Sequence, residues 1–373
     1  MQSFQQYVLV IGAFQGLLLF VLLMTDRRVT DASRLLGVLC LILALFLCIP
    51  FLIEAGPNSL LFWLVGWIFY LPASIGGISY LYCRNSILAE KFSIRQLVHI
   101  LPVFVCYFLV ADYIIFSPEK LAKWIYGGSY TSTRLVLSEY FLFAPAFFYI
   151  PFTLRIISRY RHQAKNTLAN FNPNMFRWLM VFITLSLFLW VLKAIFAFYN
   201  DVPALIYYGS DVMIVLFIYA IAAAQWRSPQ LFTIHPHGEE TLTNSLEVVT
   251  KESKKTGGVL DPETRIEMLA LVKEKVAASE LFRDSNLTLS QLADATELNS
   301  HHLSEVLNQQ AGQNFYQFVN AYRVDYVVDR FTEENGKRVL DIAMDAGFSS
   351  KSTFNSIFKK FKGVTPTQYR KTL

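Results

Sequence analysis

Seven apolar runs dominate the first 227 residues of this chain, near 6–24, 35–54, 60–83, 97–116, 135–157, 177–199 and 204–226. Each matches the roughly 20 residues that a helix needs to cross a bilayer. A backbone in hydrocarbon must satisfy its own hydrogen bonds, so apolar runs of this length fold as helices or not at all. Over 373 residues the hydrophobic share is 54% and the mean hydropathy is +0.38, too apolar for a soluble chain. The excess ends near Arg227, beyond which the sequence is polar and charged. The expected fold class is therefore all-α. A seven-helix transmembrane bundle is expected over 1–227, a linker over 228–260 and an all-helical soluble domain over 261–373.

Loop charges give the bundle an orientation, because loops that stay in the cytoplasm collect lysine and arginine. One alternating set holds Arg27, Arg28, Arg34, Arg84, Lys91, Arg95, Arg155, Arg159, Arg161, Lys165 and Arg177, whereas the other holds only Lys120, Lys123 and Arg134. No basic residue precedes the first run, and Arg27 and Arg28 follow it, the reverse of a cleavable signal peptide. The expected topology is an inner-membrane protein of a bacterial cell, with the N-terminus outside and the chain beyond Arg227 in the cytoplasm. Cys40, Cys48, Cys83 and Cys106 all sit in apolar runs without ligand spacing and read as small buried hydrophobes.

Ionisable residues inside spans are costly and mark function. Asp112, Glu139, Lys193 and Asp211 fall about 4 to 8 residues from the outer ends of spans four to seven, at similar depth. They are candidates for a ligand or proton-sensing pocket, with a Lys193–Asp211 pair suggested by their positions. The alternative is a structural ion pair and residues snorkelling to the interface. Pro50, Pro72, Pro102, Pro145 and Pro151 can kink spans. In the linker, His235 and His237 lack carboxylate or thiol partners, so neither a metal nor a cofactor is expected.

The soluble part reads as a repeated pair of helices. Asp261 and Pro262 cap and open a helix with Ile266, Leu269, Leu271, Val272 and Val276 near a 3.6-residue rhythm. Thr288 and Gln291 form a capping box ahead of Leu289, Leu292 and Ala293. Glu297 and Leu298 make a turn, and Asn299 caps a second helix that buries Leu303, Val306 and Leu307, with Ser300, His301, Ser304 and Glu305 outward. About fifty residues on, Ile342, Ala343, Gly347, Phe348 and Phe354 repeat the layout with one extra turn residue. There Ser350 caps a helix expected to bury Phe354, Ile357, Phe358 and Phe361, with Lys351, Ser352, Asn355, Ser356 and Lys359 outward. Asn314 caps a run with Phe315, Phe318, Tyr322 and Tyr326 on one face, about 17 residues or 26 Å long. Such a spacer suits insertion of two helices into successive major grooves about 34 Å apart.

Two stretches carry a family resemblance: DIAMDAGFSSKSTFNSIFKKFKGVTPTQYR at 341–370 and LTLSQLADATELNSHHLSEVLNQQAGQNFYQFVNAYR at 287–323. Together they resemble the C-terminal DNA-binding domain of the AraC/XylS family of bacterial transcription regulators. The likeness covers about 110 residues and leaves the apolar half untouched. Family members more commonly carry a soluble ligand-binding domain, so seven spans resemble a membrane-bound minority. Glu297 departs from a frequent glycine and Glu305 from a common basic or polar residue.

Charge separates the two helical pairs. Residues 263–335 hold 6 basic against 12 acidic side chains, and 336–373 hold 8 basic against 2 acidic. Phosphate attraction supplies most non-specific affinity, so the second pair is expected to dominate. Lys359, Lys360, Lys362 and Arg370 are phosphate candidates. Lys351, Ser352, Asn355 and Ser356 are base-edge candidates, with Ser300, His301, Ser304 and Glu305 in the first pair. The resulting expectation is a membrane-embedded transcription regulator, not an enzyme, since no paired-aspartate motif, HExxH or Ser-Lys dyad is present. Its expected partners are double-stranded DNA, the lipid bilayer and an unknown small-molecule or physical signal; a homodimer and RNA polymerase are candidates besides. The competing expectation is a seven-span receptor or transporter whose helical tail binds protein.

Overall fold

A computed structural model describes residues 2–88, 92–115, 118–126, 132–169, 173–198, 204–227, 260–333 and 336–373. The expected linker lies almost wholly outside the described residues, as do His235 and His237. The described residues are helical, without a named strand, and form two compact units. One comprises Met1–Ile157 with Arg177–Ile234, the other Ser158–Phe176 with His235–Leu373. The second therefore takes in a segment that a division at Arg227 would leave in the apolar half.

Seven helical stretches of the described residues are long and apolar enough to cross a membrane: Phe4–Thr25, Asp31–Glu54, Leu60–Leu88, Ile94–Ile114, Thr133–Thr167, Met175–Ile195 and Gly209–Arg227. α1 (Gln2–Thr25) is a single helix, while the second stretch divides into α2 (Asp31–Leu47) and α3 (Ile49–Glu54). The third divides into α4 (Leu60–Phe69), a 3₁₀ turn (Leu71–Ser74) and α5 (Ile75–Leu88). A 3₁₀ segment (Ile94–Ile100) leads into α6 (Leu101–Ile114). Pro50, Pro72 and Pro102 each stand in the first turn of the piece that follows, where the missing N–H has no carbonyl to serve. Short α7 (Pro118–Tyr126) precedes α8 (Thr133–Thr167), which carries Pro145 and Pro151 in its interior, then α9 (Pro173–Phe198) and α10 (Ala204–Arg227). Gly76 lets α5 approach α8: a Cβ there would stand 2.7 Å from the Pro145 carbonyl oxygen.

The C-terminal helices are α11 (Pro262–Ser279), α12 (Leu289–Ala295), α13 (Ser300–Glu305), α14 (Phe315–Glu333), α15 (Val339–Asp345), α16 (Lys351–Lys362) and α17 (Pro366–Arg370). α14 is shared by two cores. Its N-terminal half gives Phe315, Phe318 and Val319 to one with Val272, Phe282, Leu292 and Leu303. Its C-terminal half gives Val324, Val327 and Phe331 to another with Ile342, Phe348, Phe354 and Phe358. Tyr322 and Tyr326, expected on the buried face, are only half-buried because the apolar stripe rotates from one core to the other. Ile266 and Leu271 of α11, expected inward, are exposed at 55% and 39%, as is Phe361 of α16 at 38%. In each case neighbouring residues of the same rhythm fill the core.

Arg323 fastens the two cores together. It is fully buried, Nε donates to the Phe282 carbonyl at 2.6 Å and Nη2 to the Asp284 carbonyl at 2.7 Å. The guanidinium lies 5.8 Å from the centre of the Phe348 ring of the second core. Burial pushes its pKa down to about 10, opposed by the charges of Asp284 and Tyr316. Gly347 makes the same junction tight: φ is +92°, and a Cβ would meet the carbonyl oxygens of Arg283 and Phe282 at 2.6 and 2.7 Å. Glu297 holds the corresponding turn of the first pair at φ +58°.

These contacts set two expectations for stability. Gly347→Ala adds left-handed strain to a backbone clash and should destabilise the C-terminal unit by more than about 2 kcal/mol, whereas Glu297→Gly should raise its stability by up to about 1 kcal/mol. Arg323→Met, which strands the buried Phe282 carbonyl and removes the partner of the Asp284 carbonyl, should cost about 3 kcal/mol. Thermal proteolysis of the full chain, read on fragments of the C-terminal unit, measures all three; equal responses at the two turns would contradict the turn assignment.

Candidate nucleic-acid interface

Each helix-turn-helix pair starts from a short polar cap, since residues beside a buried helix end must supply partners for its free N–H groups. Asp261 accepts from the Thr264 N–H at 2.9 Å. Thr288 accepts from the Gln291 N–H at 3.2 Å while Gln291 Oε1 accepts from the Thr288 N–H at 2.8 Å, closing the capping box. Asn299 accepts from the His301 N–H at 2.7 Å, and Ser350 from the Thr353 N–H at 3.2 Å. Asn314 and Gln317 exchange the same kind of bonds, at 2.9 and 3.1 Å, ahead of α14.

α16 divides its surface cleanly. Thr353, Phe354, Ile357 and Phe358 are buried, and Lys351, Ser352, Asn355, Ser356, Lys359 and Lys360 are exposed. The 12-residue helix thus presents two turns of polar and basic side chains on a rigid aromatic base, with Phe354 packed on Phe348 and Phe358 at 5.1 and 5.6 Å between ring centres. Lys362 is tied to Asp325 at 2.9 Å, and Arg370 donates to the Lys337 carbonyl at 2.6 Å with its guanidinium 5.5 Å from the Phe331 ring centre. Both phosphate candidates therefore also brace α14 and the turn before α15.

The first pair presents a different face. Ser300, expected outward, is 6% exposed, because it lies in the first turn of a helix of only six residues packed end-on into the core. His301 and Ser304 are half-buried, and Glu305 Oε1 accepts from the Leu260 N–H at 3.1 Å. α13 passes at Val306 into a π turn (Val306–Gln310) that continues the helix and buries Val306 and Leu307. Two exposed faces of equal kind are not present; the basic and accessible one belongs to α16.

In the apolar unit, Lys193 and Asp211 meet as the sequence suggests, at 2.5 Å and with side-chain exposures of 14% and 10%. Asp112 lies 3.5 Å from Lys120 at the start of α7. Glu139 is buried beside Ser138, whose hydroxyl bonds Tyr70 at 2.8 Å. A cavity of about 20 Å³ lies elsewhere, between α5, α8 and α9, lined by Ser79, Thr153, Ser186 and Trp190. It has room for one water molecule. Among the described residues no group of three or more metal-ligating side chains is gathered.

Sequence reading missed Arg323, Asn320 and Arg283. Arg323 ends the first family stretch and Asn320 stands in a helix interior, so both pass for surface residues by type. Their signal was positional: each falls on the buried stripe of α14. Arg283 donates through Nε to the Asp345 carbonyl at 3.0 Å, a link between sequence neighbourhoods that no periodicity reveals.

Residues 292–372 match a protein family described as a helix-turn-helix domain. The melibiose operon regulatory protein of Escherichia coli strain K12 is 34% identical over 88 residues, covering 24% of this chain and 29% of that protein. An uncharacterized HTH-type transcriptional regulator of Staphylococcus aureus strain COL is 36% identical over 93 residues, 24% of this chain and 12% of that protein. The chain thus spans less than a third of the length of these relatives. No solved structure matches it. With its two capped helix pairs, shared central helix and basic α16, the C-terminal unit carries a helix-turn-helix domain of the AraC/XylS family.

Proposed function

We propose that the chain is a membrane-embedded transcription regulator that binds double-stranded DNA chiefly through α16 and couples gene expression to a signal received by the apolar unit. The observation that carries the DNA reading is the α16 face. Lys351 and Asn355, one turn apart and both exposed, suit guanine and adenine edges in the major groove. Lys359 and Lys360 continue the face toward phosphates, with Lys362 and Arg370 nearby on their bracing contacts. In the first pair His301 and Ser304 keep partial access, while Ser300 and Glu305 are engaged within the unit. This makes α13 the weaker reader. The rival, a receptor or transporter whose tail binds protein, gains nothing from a helix that ends Lys-Lys-Phe-Lys.

The membrane reading is supported by seven apolar helical stretches and by the basic bias of alternate loops. It places the domain starting at Asp261 in the cytoplasm, with a second copy of the chain and RNA polymerase as further proposed partners. Signal sensing is assigned to the Lys193–Asp211 pair with Asp112 and Glu139. A buried ion pair in an apolar unit holds two helices in one arrangement that a ligand or a proton can break.

Lys351→Ala and Asn355→Ala should each weaken binding to a selected duplex by about 1–3 kcal/mol and relax preference at one base position, whereas Lys359→Ala should weaken all duplexes alike and reduce the salt dependence. Selection from random duplexes by the full chain, followed by footprinting, reads both; unchanged footprints would remove α16 from the groove. For the sensor, Lys193→Ala and Asp211→Ala should alter the response of a reporter promoter, and a folded variant with wild-type response would exclude the pair.

A further inference from the structure

The segment that follows α8 is part of the helix-turn-helix unit. Ser158–Phe176 and the C-terminal helices form one compact body, and α8 runs unbroken through Thr167. Just beyond it, Leu168 and Thr288 form an isolated antiparallel bridge, and the Ala169 N–H donates to the Leu287 carbonyl at 3.1 Å. The Ala169 carbonyl accepts from Asn320 Nδ2 at 3.1 Å. Ala169 is 1% exposed and sits in the same core as Leu287, Leu289, Phe315 and Val319. Asn320 is fully buried, and its amide also donates to the Tyr316 carbonyl at 2.7 Å.

These contacts fall on two control points of the first pair. Thr288 is the capping residue from which α12 starts, and Asn320 stands on α14, which feeds both cores. Withdrawing the segment would strand the Leu287 carbonyl and one Asn320 N–H in the interior and leave the space of Ala169 empty, and buried polar groups without partners are strongly disfavoured. The site is therefore built to hold a two-residue stretch, and the chain supplies that stretch from just beyond its fifth apolar helix.

We propose that seating of Leu168 and Ala169 is the coupling step of this protein: α8, itself the fifth apolar helix, acts on DNA reading by pressing the residues at its C-terminal end into the first helix-turn-helix pair or withdrawing them. Seated, α12 and α14 hold their reading geometry; withdrawn, the first pair loosens and its half-site is lost. The proposal rests on the DNA-binding reading above, and two separate measurements test it. The first is hydrogen exchange on the full chain in lipid nanodiscs without DNA. The Ala169 amide should exchange more than 100-fold more slowly than an unstructured amide, and Asn320→Ala should remove that protection while the α16 amides keep theirs.

The second is footprinting with a duplex selected from random sequence by the wild-type chain. Ala169→Pro deletes the donated N–H yet lies far outside the helix-turn-helix sequence. It should weaken binding at least 10-fold, with protection lost over the half-site of the first pair and kept over that of α16. An Ala169 amide exchanging freely in the wild-type chain overturns the docking. A protected amide together with wild-type affinity in Ala169→Pro overturns the coupling and leaves a structural contact. If no duplex is selected at all, the DNA-binding reading fails and takes the coupling with it, while the exchange measurement still decides whether the segment docks.

Discussion

A single buried guanidinium organises the C-terminal unit. Arg323 reaches from α14 to the carbonyls of Phe282 and Asp284 and leans on Phe348, so the end of the α11 region, the central helix and the turn of the second pair converge on one side chain. A cation is costly in such an interior unless it is hydrogen-bonded, and here Nε and Nη2 make charge-assisted bonds to main-chain oxygens while Nη1 lies buried beside them. The tight packing at Gly347 follows, because the carbonyls of Phe282 and Arg283 stand against that glycine while Phe282 also bonds Arg323. What the two helix pairs present outward is thus set by a contact neither pair makes alone.

Caps and helical rhythm are local features and were legible in the sequence. Asp261, Thr288, Asn299, Asn314 and Ser350 all cap as their residue types suggest, and the exposed set of α16 falls where a 3.6-residue period puts it. Local signals of this kind depend on neighbours three or four residues away, which a sequence displays. Ser300 failed because exposure in a six-residue helix depends on what the helix abuts, and Phe361 because three aromatic and aliphatic neighbours already fill the space beneath α16. Arg323 and Asn320 were illegible by type: a polar side chain inside a core is recognisable only once its partners, 39 to 151 residues away, are known.

The apolar half shows the opposite balance. Its long apolar helices were plain in hydropathy, and the Lys193–Asp211 pair in the positions of the two residues, but the division of the second and third apolar stretches at Cys48 and at Leu71–Ser74 was only hinted at by Pro50 and Pro72. Proline in the first turn of a helical piece removes no bond that the piece needs, so these residues mark joints where one apolar stretch becomes two pieces. Small residues then permit close approach at the joints, as Gly76 does against the turn of α8 that contains Pro145.

The docked segment also gives the chain a timetable. Ala169 leaves the ribosome well before its partners, with 151 residues separating it from Asn320, which at 5–20 residues per second is a delay of about 10–30 s. During that interval the fifth and sixth apolar helices can already be in place while the stretch between them waits without its core. The first helix-turn-helix pair therefore closes around a piece of chain that has been positioned beforehand, so folding of the apolar helices precedes, and can act as a template for, the final shape of the unit that follows them.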